Sequence, residues 1–191
     1  MWFGNVINNY LRILLLMNQE QLNKYFSTTW RSNLEQYKYS GYELVNKILP
    51  GELVLDVGCG FNEFKQHIPN LLGIDPANDL ADVKLPIEFF VEDNNNQSKF
   101  DVAFCLGSIN FGSETNILAQ ITSVITCLKP KARIYWRCNP GLKDHGNQEC
   151  NDIEFYPWTI DKHVRYSELF GFRLEVCRWE TANRIYAEWS R

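Results

Sequence analysis

Two carboxylates and two glycines of this chain are placed where a nucleoside could bind. The apolar run 53–57 contains Asp56 and is followed at once by Gly58 and Gly60. Glycines directly after a buried strand let the backbone turn tightly and let a ligand lie against it. Asp75 ends the next apolar run, where a carboxylate can accept hydrogen bonds from both ribose hydroxyls of a nucleoside. The spacing therefore predicts a nucleoside-binding site built from a strand, a glycine loop and a helix start.

Asp56 needs a separate explanation, because a carboxylate so close to the end of a buried strand requires partners. It could accept hydrogen bonds from loop N–H groups, or bind a cationic group of a ligand directly or through water. The alternative for both Asp56 and Asp75 is that they cap turns and bind no ligand.

The segments that must position these residues predict an α/β protein with a mostly parallel sheet. Apolar runs with little polar alternation are typical of strands buried on both faces, and they predict strands at 53–57, 71–75 and 100–106. Two further strands are predicted at 81–85 and 132–138. Helical spacing of apolar residues predicts helices at 62–68, 114–128 and 159–170. Two alternating segments, 172–179 and 184–189, predict a final antiparallel hairpin.

The chain has 191 residues, of which 45% are hydrophobic, so we expect one domain with a sizeable core. Residues 50–191 would form that core, and 18–49 would form helices that cover one edge of the sheet. Residues 1–17 are an extension, either an extra helix or a stretch preceding a translation start at Met17. Its apolar part is too short to span a bilayer and it lacks a signal-peptide pattern, so we expect no membrane association.

Charge and cysteine content narrow the class of protein further. The net charge is -4; residues 1–128 carry 8 Lys and Arg against 14 Asp and Glu, and residues 129–191 carry 11 against 9. Neither part has the strongly basic character of a nucleic-acid-binding protein. The six cysteines form no CxxC pair, which favours reduced thiols in a cytoplasmic protein.

Five motifs, in this order and spacing, resemble the class I S-adenosylmethionine-dependent methyltransferases, the Rossmann-like family. They are Asp56-Val57-Gly58-Cys59-Gly60, Ile74-Asp75, Phe100–Phe104 with Leu106-Gly107-Ser108, Leu128–Ile134 and Phe170-Gly171-Phe172. The resemblance covers residues 40–191. It implies a doubly wound seven-stranded sheet of order 3-2-1-4-5-7-6 with strand 7 antiparallel, and S-adenosylmethionine lying across the ends of strands 1, 2 and 4.

The resemblance also assigns the cofactor-binding residues. The methionine part is expected at the first motif, the ribose at the end of the second strand and the adenine in the loop after the third. The residues concerned are Asp56, Gly58, Cys59 and Gly60 for methionine, Asp75 and Pro76 for ribose, Ile87 for adenine, and Leu106 and Gly107 under the sulfonium.

The sequence departs from the family pattern in three places. Asn62 replaces a common third glycine, and asparagine tolerates positive φ better than most residues. The segment between Asp75 and Asp82 is short. The acid expected after the third strand aligns with Pro86, so that contact with adenine is either absent or made by Glu88.

Other nucleotide-binding classes fit the same residues less well. A nicotinamide dehydrogenase would have a third glycine where this chain has Glu63, whose charge would oppose a diphosphate. No G-x-x-x-x-G-K is present, which excludes a standard P-loop. Asn139-Pro140-Gly141 is similar to the Asn-Pro-Pro of amino-methylating DNA enzymes, but it follows the fifth strand and is interpreted as a turn.

We therefore expect a methyltransferase whose acceptor is a small molecule or a protein rather than nucleic acid; the alternative is an inactive protein of this fold that binds a cofactor or a partner. No catalytic base can be assigned. Loop residues on the acceptor side are Ser108, Asn110, Asn139, His145 and Trp158. His145 with Asp144 and Cys150 could bind a metal, but a solvated loop is the simpler interpretation, and no metal is expected. The sequence says nothing of the oligomeric state.

Overall fold

Six strands form one sheet in the computed structural model, which describes residues 20, 22–27, 31–141 and 153–191. They are β1 (Val54–Val57), β2 (Leu71–Ile74), β3 (Phe100–Leu106), β4 (Leu128–Cys138), β5 (Arg173–Thr181) and β6 (Arg184–Ser190). Their order is β2-β1-β3-β4-β6-β5. The first four are parallel, whereas β6 is antiparallel to both of its neighbours. The predicted fold class and the antiparallel position are thereby confirmed.

The third predicted strand, at 81–85, is not a strand among the described residues. Only one parallel bridge forms there, between Ile74 and Val83. Beside it the carboxylate of Asp82 accepts a hydrogen bond from Gly73 N at 2.8 Å, in place of a strand carbonyl. A parallel crossover needs about a dozen residues or more, and the chain between Ile74 and Val83 is shorter. The rest of the predicted strand order is observed, and the edge strand predicted beside β2 is reduced to this bridge.

Four α-helices are formed by the described residues. α1 (residues 22–27) precedes the sheet, and α2 (Ile87–Phe90), α3 (Glu114–Thr126) and α4 (Ile160–Leu169) connect successive strands. The predicted helices at 114–128 and 159–170 are confirmed as α3 and α4. A capping box of Ser113 and Asn116 begins α3. The helix predicted at 62–68 is only a 3₁₀ turn, Glu63–Gln66. None of the helices described is long and apolar enough to cross a membrane.

The two faces of the sheet bury separate apolar clusters, because successive strand residues point to opposite sides. Leu55, Ala103 and Trp136 belong to the larger cluster, together with residues of α2, α3 and α4. Val54 and Phe104 belong to the smaller one, on the other face. The sheet is thus the middle of three layers.

The N-terminal segment covers the second face of the sheet, not the edge that the sequence suggested. Beyond α1 it forms two 3₁₀ helices, Leu34–Gln36 and Tyr42–Lys47. Leu34 and Leu44 pack in the smaller cluster. The edge beside β2 is instead covered by Asp82 and Val83, so the apolar residues of this segment find their partners on the face.

Glu180 fixes the segment in place. Its carboxylate accepts hydrogen bonds from Tyr39 N and Ser40 N, both at 2.8 Å, and from Arg137 Nε at 2.9 Å. The ring of Tyr37 lies 3.9 Å from the Arg137 guanidinium carbon. The Glu180 side chain is fully buried. Burial alone would raise its pKa, but these donors outweigh the effect and lower it.

Candidate functional site

The glycine loop after β1 is held by its own hydrogen bonds to β2. Gly58 N and Cys59 N both donate to Ile74 O, at 2.8 and 3.0 Å. Gly60 N donates to Asp75 Oδ2 at 3.0 Å. The amides that could have faced a ligand are therefore occupied within the protein.

Asn62 takes the role of the third glycine in this loop. It adopts the left-handed conformation, with φ 57° and ψ 36°, as the sequence predicted for an asparagine at this position. Its side-chain amide donates to Leu80 O at 3.2 Å. The tight turn into the 3₁₀ helix therefore forms without a glycine.

Asp75 caps a turn within the protein, as the alternative interpretation predicted. Besides Gly60 N it accepts Ala77 N at 2.7 Å and Asn78 N at 3.0 Å, both on Oδ1. Two carboxylate oxygens offer about four acceptor positions, so one remains for a ligand hydroxyl. Asp75 both closes the glycine loop and shapes the turn that contains Pro76.

Asp56 is the unusual group of the site. Its side chain takes part in none of the hydrogen bonds or ion pairs formed between the described residues, although only 4% of Asp56 is exposed. Burial, together with the nearby charge of Asp75, raises the pKa of Asp56 to about 8. A buried carboxylate without donors is costly in its charged form, so Asp56 keeps its proton at neutral pH unless a cation lies beside it.

The loop after β3 meets the glycine loop at Gly58. A Cβ on Gly58 would lie 2.4 Å from Ser108 Cβ, and Gly58 has φ +69°. Leu106 and Gly107, predicted beneath the ligand, directly precede this contact. The structure thus brings together the ends of β1, β2 and β3, as the motif spacing implied.

We predict that Gly58→Ala destabilises the protein more than Gly171→Ala. Gly171 has nearly the same φ, +71°, but nothing lies within 4 Å of its added Cβ. Both changes incur the left-handed penalty of about 1–2 kcal/mol, and overpacking against Ser108 adds roughly 1–3 kcal/mol at Gly58. Urea denaturation measures both. Ser108→Gly should restore part of the loss in Gly58→Ala; equal losses at the two glycines would contradict the contact.

On the acceptor side, Asn110 and Asn139 are joined, since Asn139 N donates to Asn110 Oδ1 at 2.9 Å. Trp158 lies beside them but does not face a ligand, which corrects the sequence interpretation. It is fully buried, its indole donates to Ile109 O at 2.8 Å and its ring stacks on His163. Trp158 is thus a core residue that holds this loop. His145 lies outside the described residues, as do Asp144 and Cys150.

The adenine side is the least open part of the predicted site. Ile87, the first residue of α2, is buried in the larger cluster. Glu88, the sequence alternative for an adenine contact, instead accepts a hydrogen bond from Gln120 of α3 at 2.9 Å. The structure therefore gives Glu88 a helix-packing role and does not support it as an adenine ligand.

Cys59 is half-buried in the glycine loop, where burial, and next the charge of Asp56, raise the pKa of its thiol far above the usual range. It is therefore a neutral thiol in this site. Residues 20–27, 31–141 and 153–191, where described, hold no group of three or more His, Cys, Asp or Glu that could bind a metal ion.

Sequence reasoning missed two groups around the site. The Asp82 carboxylate accepts hydrogen bonds from Gly73 N and from the side chains of Asn62 and Lys65, and so supports the glycine loop. The short spacing after Asp75 was its only signal in the sequence. Arg31 lies over the ring of Phe61, 4.4 Å from its centroid. The N-terminal segment therefore reaches the glycine loop, and no local pattern predicted that contact.

Comparisons with solved structures show the fold. A SAM-dependent methyltransferase from Archaeoglobus fulgidus has a TM-score of 0.66 at 12% identity, over 87% of this chain and 98% of that one. Magnesium protoporphyrin IX methyltransferase from Synechocystis, with bound SAH, has 0.62 at 15%, over 91% and 99%. 1,6-Didemethyltoxoflavin-N1-methyltransferase from Burkholderia thailandensis has 0.58 at 12%, over 73% and 71%. No protein-family model and no curated protein sequence matches the chain.

Proposed function

We propose that this protein is an S-adenosylmethionine-dependent methyltransferase. The observation that carries the proposal is the buried Asp56 carboxylate, without a donor among the described residues, at the end of β1. The fold shared with the methyltransferases named above supports it. S-Adenosylmethionine presents an ammonium and a sulfonium, and either cation suits this carboxylate.

The occupied amides of the glycine loop argue against a dinucleotide. A diphosphate is bound by free backbone N–H groups at a helix N-terminus. Here Gly58, Cys59 and Gly60 use those groups for Ile74 and Asp75, and a 3₁₀ turn of four residues follows. Two carboxylates beside three occupied amides suit a cation better than a phosphate.

The residues would divide the cofactor between them. Asp56 receives the ammonium of the methionine part, and the remaining acceptor position of Asp75 receives a ribose hydroxyl. Gly58, Cys59 and Gly60 let the chain pass close by, with Pro76 beside the ribose. Leu106 and Gly107 lie beneath the sulfonium. The adenine would lie beside Ile87, which would contribute apolar packing alone.

The cofactor supplies a methyl group already activated by the sulfonium. The protein then has to orient the acceptor in line with the methyl and to exclude water. Ser108, Asn110 and Asn139 follow β3 and β4 and are positioned for that task, and His145 is a further candidate. The net charge of -4 favours a small molecule or a protein as acceptor over nucleic acid.

A thermal-shift measurement tests the cofactor. At about 100 times Kd, S-adenosylmethionine should stabilise the fold by about 2.7 kcal/mol, which raises the midpoint by roughly 5–11 °C for a chain of this size. NAD at the same concentration is the control and should give no shift. A shift with NAD alone would overturn the proposal. Binding of S-adenosylmethionine without transfer to any acceptor in a cell extract would favour an inactive binding protein of this fold.

A further inference from the structure

The ends of β3 and β4 present side-chain hydrogen-bond donors that have no partner among the described residues. Asn139 is 1% exposed, and its Oδ1 accepts Gly141 N at 2.9 Å. This bond fixes the side-chain amide, so Nδ2 is the free end. Nδ2 is buried and has no hydrogen-bond partner in the part of the chain that the structure describes.

Asn110 repeats the arrangement. Its Oδ1 is occupied by Asn139 N at 2.9 Å, which leaves its Nδ2 as a donor with no bond to the described residues. A Cβ on Gly107 would lie 4.0 Å from that nitrogen. Ser108 Oγ, next in sequence to Gly107, is buried and also bonds to none of the residues that the structure describes. Three polar groups thus surround the place where the proposed function puts the methyl group.

These groups favour a methyl acceptor that offers hydrogen-bond-accepting atoms rather than N–H or O–H donors. Each amide oxygen already accepts one hydrogen bond, whereas neither Nδ2 group bonds to a described residue, so free donors outnumber free acceptors among these groups. Two amide NH₂ groups can hold an oxygen anion by hydrogen bonds to charge, which are the stronger kind. The acidic half of the site, at Asp56 and Asp75, and this donor half are therefore complementary to opposite charges.

An aromatic wall continues from the donors. Phe111 follows Asn110 directly and forms an antiparallel bridge with Phe155. Their ring centroids lie 5.3 Å apart, and Phe26 of α1 packs on Phe111 at 5.5 Å. All three rings remain partly exposed. An acceptor held by the amides would place its body against these rings.

Building on the proposed function, we propose that the methyl acceptor is an aromatic oxyanion, a carboxylate or a phenolate, held by the Nδ2 groups of Asn110 and Asn139. The acceptor oxygen supplies the electron pair of the new O–CH₃ bond, and the pair of the breaking S–CH₃ bond stays on sulfur. The negative charge of the oxyanion and the positive charge of the sulfonium cancel. No proton is released, so the site needs no general base.

Ligand-induced thermal shifts at pH 8 test this on the full chain saturated with S-adenosylhomocysteine. The probes are benzoate, 4-nitrophenolate and, as a neutral amine of similar shape, aniline. The two anions should raise the midpoint and aniline should not. Asn139→Asp keeps the acceptor for Gly141 N but replaces the donor with an oxygen, and it should weaken benzoate binding at least about tenfold. Asn95→Asp, in an exposed loop, is the control and should bind like the wild type.

The outcomes separate the two proposals. A shift with S-adenosylhomocysteine but none with either anion overturns the acceptor class and leaves the methyltransferase proposal intact. Binding of aniline in preference to the anions does the same, as does benzoate binding that Asn139→Asp leaves unchanged. No shift with S-adenosylhomocysteine removes the proposed function itself.

Discussion

Asp56→Asn is expected to stabilise the free protein at neutral pH and to weaken S-adenosylmethionine binding at the same time. The carboxylate is buried without donors, so its charged form is unfavourable in the folded chain. The amide has nearly the same shape and carries no charge. Without the negative charge, however, the ammonium of the cofactor loses its partner. A hydrogen bond to a charged group contributes roughly 1.5–3 kcal/mol, so affinity should fall roughly 10- to 150-fold.

The difference in unfolding free energy between wild type and Asp56→Asn should depend on pH, and the raised pKa of Asp56 sets its direction. The pKa of Asp56 is raised from 3.8 to about 8 in the folded state. Between those values the folded protein keeps a proton that the unfolded chain has lost, so stability falls as pH rises. The slope is about 1.4 kcal/mol per pH unit. Wild type should therefore lose almost 3 kcal/mol relative to Asp56→Asn between pH 5 and pH 7, by the same slope.

Urea denaturation at pH 5, 6 and 7 measures the difference, and Asp101→Asn provides a control of opposite sign. Burial would raise the pKa of Asp101, but Lys129 and Leu53 N outweigh it and lower the pKa. Asp101 begins β3 at the far end of the sheet, so its variant should bind the cofactor normally. A gap between wild type and Asp56→Asn that does not grow with pH would show that Asp56 is already ionised.

Glu180→Ala is expected to destabilise the protein by about 3–5 kcal/mol, the usual loss when one partner of a buried ion pair is removed. The change leaves the Arg137 guanidinium, which is 11% exposed, without its carboxylate. It also leaves the amides of Tyr39 and Ser40 without an acceptor. The segment around Tyr37 should therefore detach from the sheet, and trypsin should cleave after Lys38 faster.

Glu175→Ala is the matched control, because Glu175 lies on the same strand, β5, and pairs at the surface with Arg173 and Ser190. Exposed pairs of this kind contribute about 0–1 kcal/mol. Urea denaturation compares the two variants, and gel analysis of timed trypsin digests follows the cleavage. Similar losses for both, with unchanged cleavage after Lys38, would mean that Glu180 does not hold the N-terminal segment.

Strands, long helices and the glycine loop could be predicted because each depends on local sequence. Val54 to Val57 shows its buried strand by composition alone, and Ser113 marks the start of α3 by its capping pattern. Asn62 was expected in a left-handed turn because few other residues tolerate it. The third strand was overestimated, because the chain before 81–85 is too short for a full parallel crossover and only a single bridge to Ile74 forms there.

Side-chain partners were the part that the sequence could not supply. Glu180 appeared to be a hairpin turn residue, but the pairing of β5 with β6 shifts register between Trp179 and Thr181. Such a bulge redirects a side chain, here toward Arg137. Trp158 was expected on the acceptor side because it closes the polar loop before it. Its stacking partner His163 follows five residues later, but no sequence pattern marks that contact. Burial pushes the pKa of His163 down to about 3, so it is a neutral core residue.

We propose that a cationic cofactor completes the environment of Asp56. The most direct test is calorimetric titration of S-adenosylmethionine into the wild-type protein at pH 7, in two buffers with different ionisation enthalpies. With a pKa of about 8, Asp56 is protonated in the free protein and should ionise when the cation binds. We predict binding with release of close to one proton, and loss of that release in Asp56→Asn. Absence of binding, or binding without proton release, would show that Asp56 does not pair with a cation of the cofactor.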